Sequence, residues 1–427
     1  MYPTGGNTIC ATKGVLSRVD AQHYAHAASK GFSSGIAGAP GKLLILQIDA
    51  AINDGSSGGP AVNAKGEVIG VASSGLDNAQ NVGYVIPASL VRLFLGEYER
   101  LGHWPGTCDL GFAYRRMESV ALRQYCKVPD ERSVLVTSVA PMGPASGVLR
   151  AGDVLLSIDG STVHTDGSVL WRGDADGSET LLPLEHCVTG RKHDETLRLA
   201  ILRGGVELAL PYVTGGAPPL LPRFCGADAR PSFAIFGGLV FTRLTMPLFA
   251  ELVEGDEAAS LAARTVLWTE VRRWRQREQD EVVVLLRLLR HNINEGIETG
   301  GALRVVSHVN DVPVRTLLEL VEQSASVITA HVQRASPTFL RFQFRDQAQQ
   351  GICNVSNEDV LRLDGLLAAD AEILHQNGIA APVSADLMPR YAACAPQDHS
   401  IVRAWLACVT SASQRCLRSQ KRVRAEE

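Results

Sequence analysis

The hydrophobic positions of the first hundred residues come in short runs separated by glycine-rich turns, a pattern typical of antiparallel β-structure. We predict strands at residues 43–48, 68–72 and 81–87. Residues 88–95 carry apolar side chains at helical spacing, which predicts a helix directly after the last strand. Residues 27–42 are rich in alanine, glycine and serine and are interpreted as a loop. This part of the chain is therefore expected to form a small β-domain that ends in a helix.

The rest of the chain divides into three parts, at residues 101–215, 226–350 and 351–427. In the first of these, residues 149–160 predict a glycine–aspartate turn that leads into an apolar strand. In the second, residues 316–322 predict a helix. The last part is rich in alanine, favours helix and closes with several basic residues, which we interpret as a solvated end. The whole pattern indicates a fold that is mainly β with some α.

Composition places the chain among globular proteins. Of its 427 residues, 45% are hydrophobic and 20% charged, which suits about two to four domains with sizeable cores. The net charge of −4 gives no basis for a nucleic-acid partner, and no apolar run has the length of a membrane span. Nine scattered cysteines form no C-x-x-C pair, so neither a zinc site nor a redox motif is predicted. We expect a soluble protein of intracellular type, with no targeting signal at residues 1–5.

Residues 48–60 carry the most specific chemical signal of the chain. An apolar strand runs into a turn in which Ser57 stands among glycines. The backbone N–H groups of Gly55, Ser56 and Ser57 can converge there on one point. A serine hydroxyl beside such donors is what an acyl-transfer enzyme needs, because the donors stabilise the oxyanion that forms when the hydroxyl attacks a carbonyl.

Two other interpretations of this turn are open from the residues. The nucleophile elbow of α/β-hydrolases also sets a serine between glycines, but it requires a helix immediately afterwards. Here Gly58, Gly59 and Pro60 follow, and two glycines and a proline are poor helix formers. Because the next apolar segment predicts a strand, the strand–turn–strand order favours a β-barrel protease. An ordinary glycine–serine turn in a β-protein is the second alternative.

Several motifs occur in a fixed order around this turn. They are residues 5–9, 12–17, 48–53, 55–60, 66–70 and 82–87. Together they resemble the Deg/HtrA family of serine proteases, most closely its plant-type subgroup with two PDZ-like domains. The resemblance implies that residues 1–100 form the second barrel of a chymotrypsin-like double β-barrel and 101–215 a first PDZ domain. Residues 226–350 would form a second PDZ-like domain and 351–427 a helical, basic C-terminal extension.

The resemblance also implies a serine endopeptidase of protein quality control with Ser57 as its nucleophile. In that family the histidine and aspartate of the triad precede the serine and lie in the first barrel, which we expect to be missing from this sequence. His23 and His26 fall in a loop-like region, and Asp20 and Asp49 at non-catalytic positions, so none of them is expected to complete a triad. The alternative is a catalytically inactive PDZ-containing interaction protein or a fragment.

Substrate binding follows from the same resemblance. Ile69, Gly70 and Val71 would pair with the substrate backbone and line the specificity pocket. The small residues Gly70 and Ala72 allow a roomy pocket, which favours substrates with modest apolar side chains. Residues 73–81 would form a loop beside the pocket whose ordering switches activity.

In the first PDZ domain, the N–H groups of Leu110, Gly111 and Phe112 would receive the carboxylate of a C-terminal peptide. Asp109 stands beside them and would repel that carboxylate, so peptide binding and a role in packing alone are both open. The second PDZ-like domain would serve assembly. The family implies no metal or organic cofactor, unfolded or damaged polypeptides as substrates, and homo-oligomers built from trimers.

Overall fold

The computed structural model describes residues 11–24, 41–53, 55–75, 82–128, 131–172, 179–223, 230–254, 267–297, 303–332, 338–345 and 357–387. His26, most of the predicted loop 27–42, residues 76–81 and the basic tail lie outside them. The chain folds as two compact units, Met1–Pro219 with Trp274–Gln276, and Leu220–Arg273 with Arg277–Glu427. Within the described residues, no helix combines the length and apolarity needed to cross a membrane.

The first sheet has five antiparallel strands, and a helix follows it directly. The strands are β1 (Leu16–Gln22), β2 (Leu43–Ile48), β3 (Pro60–Val62), β4 (Val68–Gly75) and β5 (Gly83–Pro87), and the helix is α1 (Ala88–Leu101). Their order is β1-β2-β5-β4-β3. Alternate residues of β5 are buried, as in a strand with one face on a core. The predicted strands and helix are confirmed, and the helix runs on to Leu101 because Gly102 ends it with a φ of 76°.

The second sheet of this unit belongs to the residues predicted as the first PDZ domain. Its elements are β6 (Phe112–Arg116), α2 (Val120–Tyr125), β7 (Val134–Val139), β8 (Val154–Ile158), β9 (Ser161–Thr162), β10 (Ser168–Arg172), β11 (Glu179–Pro183), α3 (His186–Thr189), β12 (Thr196–Arg203) and β13 (Val206–Val213). The main path is β13-β12-β8-β7-β6, while β10 and β11 pair with each other. Val134, Leu155 and Leu199 are fully buried in its core. The strand β6 is therefore an outer strand of this sheet.

The second unit holds one antiparallel sheet packed with helices. Its elements are β14 (Phe233–Phe236), β15 (Leu239–Arg243), α4 (Met246–Glu254), β16 (Val283–Leu288), β17 (Arg304–Val309), β18 (Val312–Pro313), α5 (Leu317–Val332), β19 (Phe339–Phe344), β20 (Glu358–Arg362) and α6 (Leu366–Gln376). The order is β14-β15-β16-β17-β19-β20, with β18 beside β17. The rings of Phe241 and Phe342 meet in the core with centroids 4.6 Å apart. The helix predicted at residues 316–322 is confirmed as the start of α5.

Residues 357–387 correct the predicted end of the second PDZ-like domain at residue 350. β20 pairs with β19 along its whole length. Leu361, Leu374 and Val383 are buried in the same core as Phe342. The sequence EDVLR of β20 has three charged residues in five, so its pattern did not predict a strand. Part of the predicted extension therefore belongs to this domain.

A buried carboxylate fastens α1 to the second sheet of the first unit. Glu97 is only 1% exposed. It accepts hydrogen bonds from Arg100 Nε at 2.9 Å and Nη2 at 2.8 Å, and from the backbone N–H of His193 at 3.1 Å. Chiefly because Arg100 donates to it, the pKa of Glu97 is lowered from 4.5 to about 2.

The variant Glu97→Gln is expected to lower the free energy of opening of α1 by about 1–3 kcal/mol at pH 7. The reason is that Arg100 and the His193 amide lose a charged acceptor. The pKa is lower in the folded chain, so the carboxylate stabilises the fold fully above about pH 4.5 and loses this effect as pH falls towards 2. Amide hydrogen exchange of α1 at pH 7 and pH 3 measures both effects. As a control, Glu195→Gln breaks the half-exposed pair with Arg191 and should cost less than about 1 kcal/mol. Equal losses in the two variants would contradict the assignment.

Candidate active site and peptide-binding strands

The turn that carries Ser57 is hydrogen-bonded to β4 through the two glycines that follow the serine. Gly58 N–H donates to the carbonyl of Ala72 at 2.7 Å, and Ala72 N–H donates to the carbonyl of Gly59 at 2.8 Å. Gly55 and Gly58 have φ values of 87° and 85°, a region that side chains disfavour. Ser57 itself is exposed. The glycines thus shape a turn that is hydrogen-bonded to β4 and in which Ser57 is exposed.

The chain after this turn excludes the nucleophile elbow. β3 follows Ser57 and pairs with β4, from Pro60 opposite Val71 to Val62 opposite Val68. The predicted order of strand, turn and strand is confirmed. The α/β-hydrolase interpretation fails because the helix it requires is replaced by a strand.

The predicted set of oxyanion donors is corrected at one position. Ser56 N–H donates to the carbonyl of Asn53 at 2.9 Å, so this amide already has an acceptor inside the turn. A donor engaged in this way cannot also point to a bound substrate. The amides of Gly55 and Ser57 are the two that stay candidates for the oxyanion.

The predicted substrate strand, Ile69, Gly70 and Val71, is corrected at Gly70 and Val71. These two residues of β4 pair with β3 on one side and with β5 on the other, while Ile69 lies at an irregularity in the β3–β4 pairing. A strand paired on both sides has no backbone groups left for a substrate. β4 continues past the end of β3 into Ser73, Ser74 and Gly75, next to the residue that anchors the Ser57 turn.

Residue 70 is a glycine because the neighbouring strand β5 leaves no room for a side chain. A Cβ at this position would overlap the carbonyl oxygen of Ile86 and would lie 2.6 Å from a methyl group of Val85. The close approach of β5 thus requires glycine here. The inference of a roomy pocket from Gly70 and Ala72 is therefore wrong at Gly70, where β5 already fills the space.

Asp20 and Asp49 each accept a hydrogen bond from a backbone N–H group in or next to β1. Asp49 Oδ1 accepts the N–H of Val15 at 2.6 Å. Asp20 accepts the N–H of Ala21 at 2.8 Å and pairs with Arg18 at 3.0 Å. His23 follows β1, and three strands lie between β1 and β3 in the sheet order. The described contacts of Asp20 and Asp49 thus engage these carboxylates away from Ser57.

The predicted ligand loop of the first PDZ domain has its central amide occupied. Gly111 N–H donates to the carboxylate of Asp109 at 2.8 Å. Leu110 and Phe112 are each 5% exposed and belong to the domain core. The expectation of three open N–H donors at Leu110, Gly111 and Phe112 is thus corrected at Gly111. The charge of Asp109 is evident from the sequence, but the hydrogen bond of its side chain to Gly111 is not.

The second PDZ-like domain has no open edge at the matching strand. β15 is paired with β14 on one side and with β16 on the other. The turn between β14 and β15 is held by Asp370, whose Oδ1 accepts the N–H of Gly237 at 2.7 Å. Asp370 is fully buried, and this burial raises its pKa to about 7. Nothing in the local sequence of α6 indicated this partner.

Comparison with known families agrees with these domains. A trypsin-like peptidase domain matches residues 1–71. Two different PDZ domain families match residues 108–211 and residues 222–386. The second match ends close to the last described residue of the second unit, in agreement with the corrected boundary.

The chain is similar to several curated plant proteins. Protease Do-like 2, chloroplastic, of Arabidopsis thaliana is 34% identical over 393 residues, which are 91% of this chain and 58% of the relative. Protease Do-like 4, mitochondrial, of the same plant is 36% identical over 247 residues, 58% of this chain and 44% of the relative. The chain therefore spans about half the length of these relatives.

Solved structures give a weaker likeness. The HtrA-type protease AlgW with decapeptide is 24% identical, with a TM-score of 0.34 over 51% of this chain and 58% of that one. The assignment does not depend on it, because the peptidase and PDZ matches and the plant relatives agree. The chain thus combines a trypsin-like peptidase segment with two PDZ domains and is similar to the Deg/HtrA, or protease Do-like, proteins of plants.

Proposed function

We propose that this chain supplies the nucleophile and part of the substrate-binding surface of a serine endopeptidase that acts on unfolded or damaged polypeptides. The observation that carries the proposal is the exposed Ser57 in a glycine turn fastened to β4. Names such as protease Do-like 2 and protease Do-like 4 among the relatives support the same activity.

In the proposed reaction, Ser57 Oγ attacks the carbonyl carbon of the scissile peptide bond while its proton passes to a general base. The N–H groups of Gly55 and Ser57 stabilise the oxyanion of the tetrahedral intermediate. When that intermediate collapses, the C–N bond breaks and the base returns the proton to the leaving amine. Water then hydrolyses the acyl-serine and frees the second product.

The general base and the carboxylate that orients it are proposed to lie outside these 427 residues. The hydrogen bonds of Asp20 and Asp49 to the barrel backbone support this part of the proposal. The substrate would add as a strand beside Ser73, Ser74 and Gly75, where β4 extends beyond β3. Pairing there would carry the scissile bond towards the Ser57 turn.

The alternative is a PDZ-containing interaction protein without catalysis. It is favoured by the hydrogen bonds of Asp20 and Asp49, which engage both carboxylates with backbone N–H groups rather than with a base for Ser57. A serine without a base is a weak nucleophile. In either case we propose that the second PDZ domain serves assembly into homo-oligomers, because β15 is paired on both sides.

A fluorophosphonate probe separates the two functions. The product of the whole transcript is labelled, and the modified residue is located by peptide mass spectrometry. We expect the label on Ser57, and no label at this position in the Ser57→Ala variant. A whole transcript that encodes only these 427 residues, together with an unlabelled folded product, would favour the interaction protein.

A further inference from the structure

The carboxylate of Asp109 lies inside the ligand loop of the first PDZ domain. Its Oδ1 accepts the N–H of Gly111 at 2.8 Å, and its Oδ2 accepts the N–H of Ala217 at 2.8 Å. The N–H of Asp109 donates to the carbonyl of Gly215 at 2.9 Å. The side chain thus joins the loop to the segment that follows β13, and it takes the place that a ligand carboxylate would need.

Tyr212 and Pro144 also restrain the loop. The hydroxyl of Tyr212, a residue that is 1% exposed, donates to the carbonyls of Asp109 at 2.9 Å and Leu110 at 3.2 Å. Gly111 has a φ of 65°, and a Cβ there would lie 2.6 Å from Pro144. These contacts keep the loop from turning its amides away from Asp109. A second carboxylate entering the loop would therefore meet like charge and find an engaged donor.

The outer strand that follows this loop has opposite charges at its two ends. Asp109 lies before its first residue, and the exposed Arg115 and Arg116 lie at its last residues. A polypeptide that adds to β6 in antiparallel direction has its N-terminal end at the two arginines and its later residues at Asp109. Acidic residues are favoured at the first end, and uncharged or basic residues at the second.

We propose that β6 binds an internal polypeptide segment with an acidic N-terminal end, and that Asp109 excludes chains that end at the loop with a free carboxylate. The backbone of such a segment continues past the loop, so it brings an uncharged peptide group where a C-terminal ligand would bring a charge. Asp109 then sets the specificity, because it repels a ligand that ends at the loop with a free carboxylate. This proposal concerns binding alone and is independent of the reactivity of Ser57.

Fluorescence anisotropy with the full chain tests the ligand preference. The probes are two labelled octapeptides of one sequence, acidic at the N-terminal end and apolar at the C-terminal end, one with a free carboxylate and one with a C-terminal amide. The parent chain is expected to bind the amide at least about tenfold more tightly. In Asp109→Asn this ratio should fall below about threefold, because the charge is lost and the shape is kept.

The matched control is Asp159→Asn, which removes a carboxylate from the same domain at the turn after β8, where it pairs with Arg191. It should leave the tenfold ratio unchanged. Equal or tighter binding of the carboxylate form by the parent chain, a ratio unchanged in Asp109→Asn, or no binding of the amide form would each overturn the proposal.

A second pair of variants keeps the test informative if Asp109→Asn does not fold. Arg115→Gln and Arg116→Gln together should weaken binding of the amide peptide about fivefold or more, since they remove the charges that favour its acidic end. They should leave a peptide without acidic residues unaffected. No loss of affinity for the acidic peptide would contradict the proposed direction and chemistry of the ligand.

Discussion

Replacing Ser57 by alanine in the product of the whole transcript is expected to lower the rate of peptide-bond hydrolysis by about 10⁴–10⁶-fold. In the proposed reaction the Ser57 hydroxyl forms the acyl intermediate, and an alanine side chain has no nucleophile to take its place. Residual hydrolysis would come from the N–H groups of Gly55 and residue 57 and from substrate binding, which the variant keeps. The measurement is kcat/KM on an unfolded protein substrate, with folding checked by circular dichroism.

Ser56→Ala is the matched control, because it removes a hydroxyl one residue away in the same turn. The Ser56 amide stays bonded to Asn53, so the turn should persist and the rate should change by less than about tenfold. Comparable losses in both variants would mean that the turn, not the Ser57 hydroxyl, is what the substitution disturbs. Full activity of Ser57→Ala would remove Ser57 from the reaction.

Asp359→Asn is expected to destabilise the second PDZ domain by about 3–5 kcal/mol. Asp359 and Arg304 are 6% and 2% exposed, and Arg304 Nη1 donates to Asp359 Oδ2 at 2.7 Å. They lie on β20 and β17, which are separated by β19. The guanidinium lies 3.7 Å from the centre of the Phe344 ring on that middle strand. Loss of the carboxylate charge removes this ion pair from a buried arginine.

Urea unfolding followed by hydrogen exchange of the β19 and β20 amides measures this effect. The double variant Arg304→Leu with Asp359→Leu should recover much of the loss, because an apolar pair needs no charge compensation. Asp364→Asn is the control, since its ion pair with Arg362 is exposed and should contribute less than about 1 kcal/mol. A loss below about 1 kcal/mol in Asp359→Asn would contradict a buried pair.

Local features of the fold were predictable where neighbouring residues impose a conformation. The glycines around Ser57 predicted the turn, and the structure gives Gly55 and Gly58 the positive φ values that glycine tolerates. The apolar spacing at residues 88–95 predicted the start of α1, and Gly96 obscured its continuation to Leu101. The prediction of a strand after Ser57 was correct because Gly58, Gly59 and Pro60 disfavour a helix.

Pairing partners were not predictable in the same way. The apolar residues of β4 identified it as a strand but could not show that Gly70 and Val71 are paired on both sides. The charged sequence of β20 hid a strand that completes a core. Both features depend on which segments pair in the folded chain, and the residues of one strand do not identify its pairing partners.

The sequence by itself determined the serine turn and the strand order around it, since these follow from glycine positions and from hydrophobic period, and its resemblance to a known family indicated the domain types. Only the tertiary structure decided how the carboxylates are used. Asp109 meets Ala217 across 108 residues, and Asp370 meets Gly237 across 133. Such contacts form because folding brings distant backbone amides and carboxylates together, and burial then makes each bond to a charged group strong. Whether a loop is open to a ligand is settled by those long-range bonds.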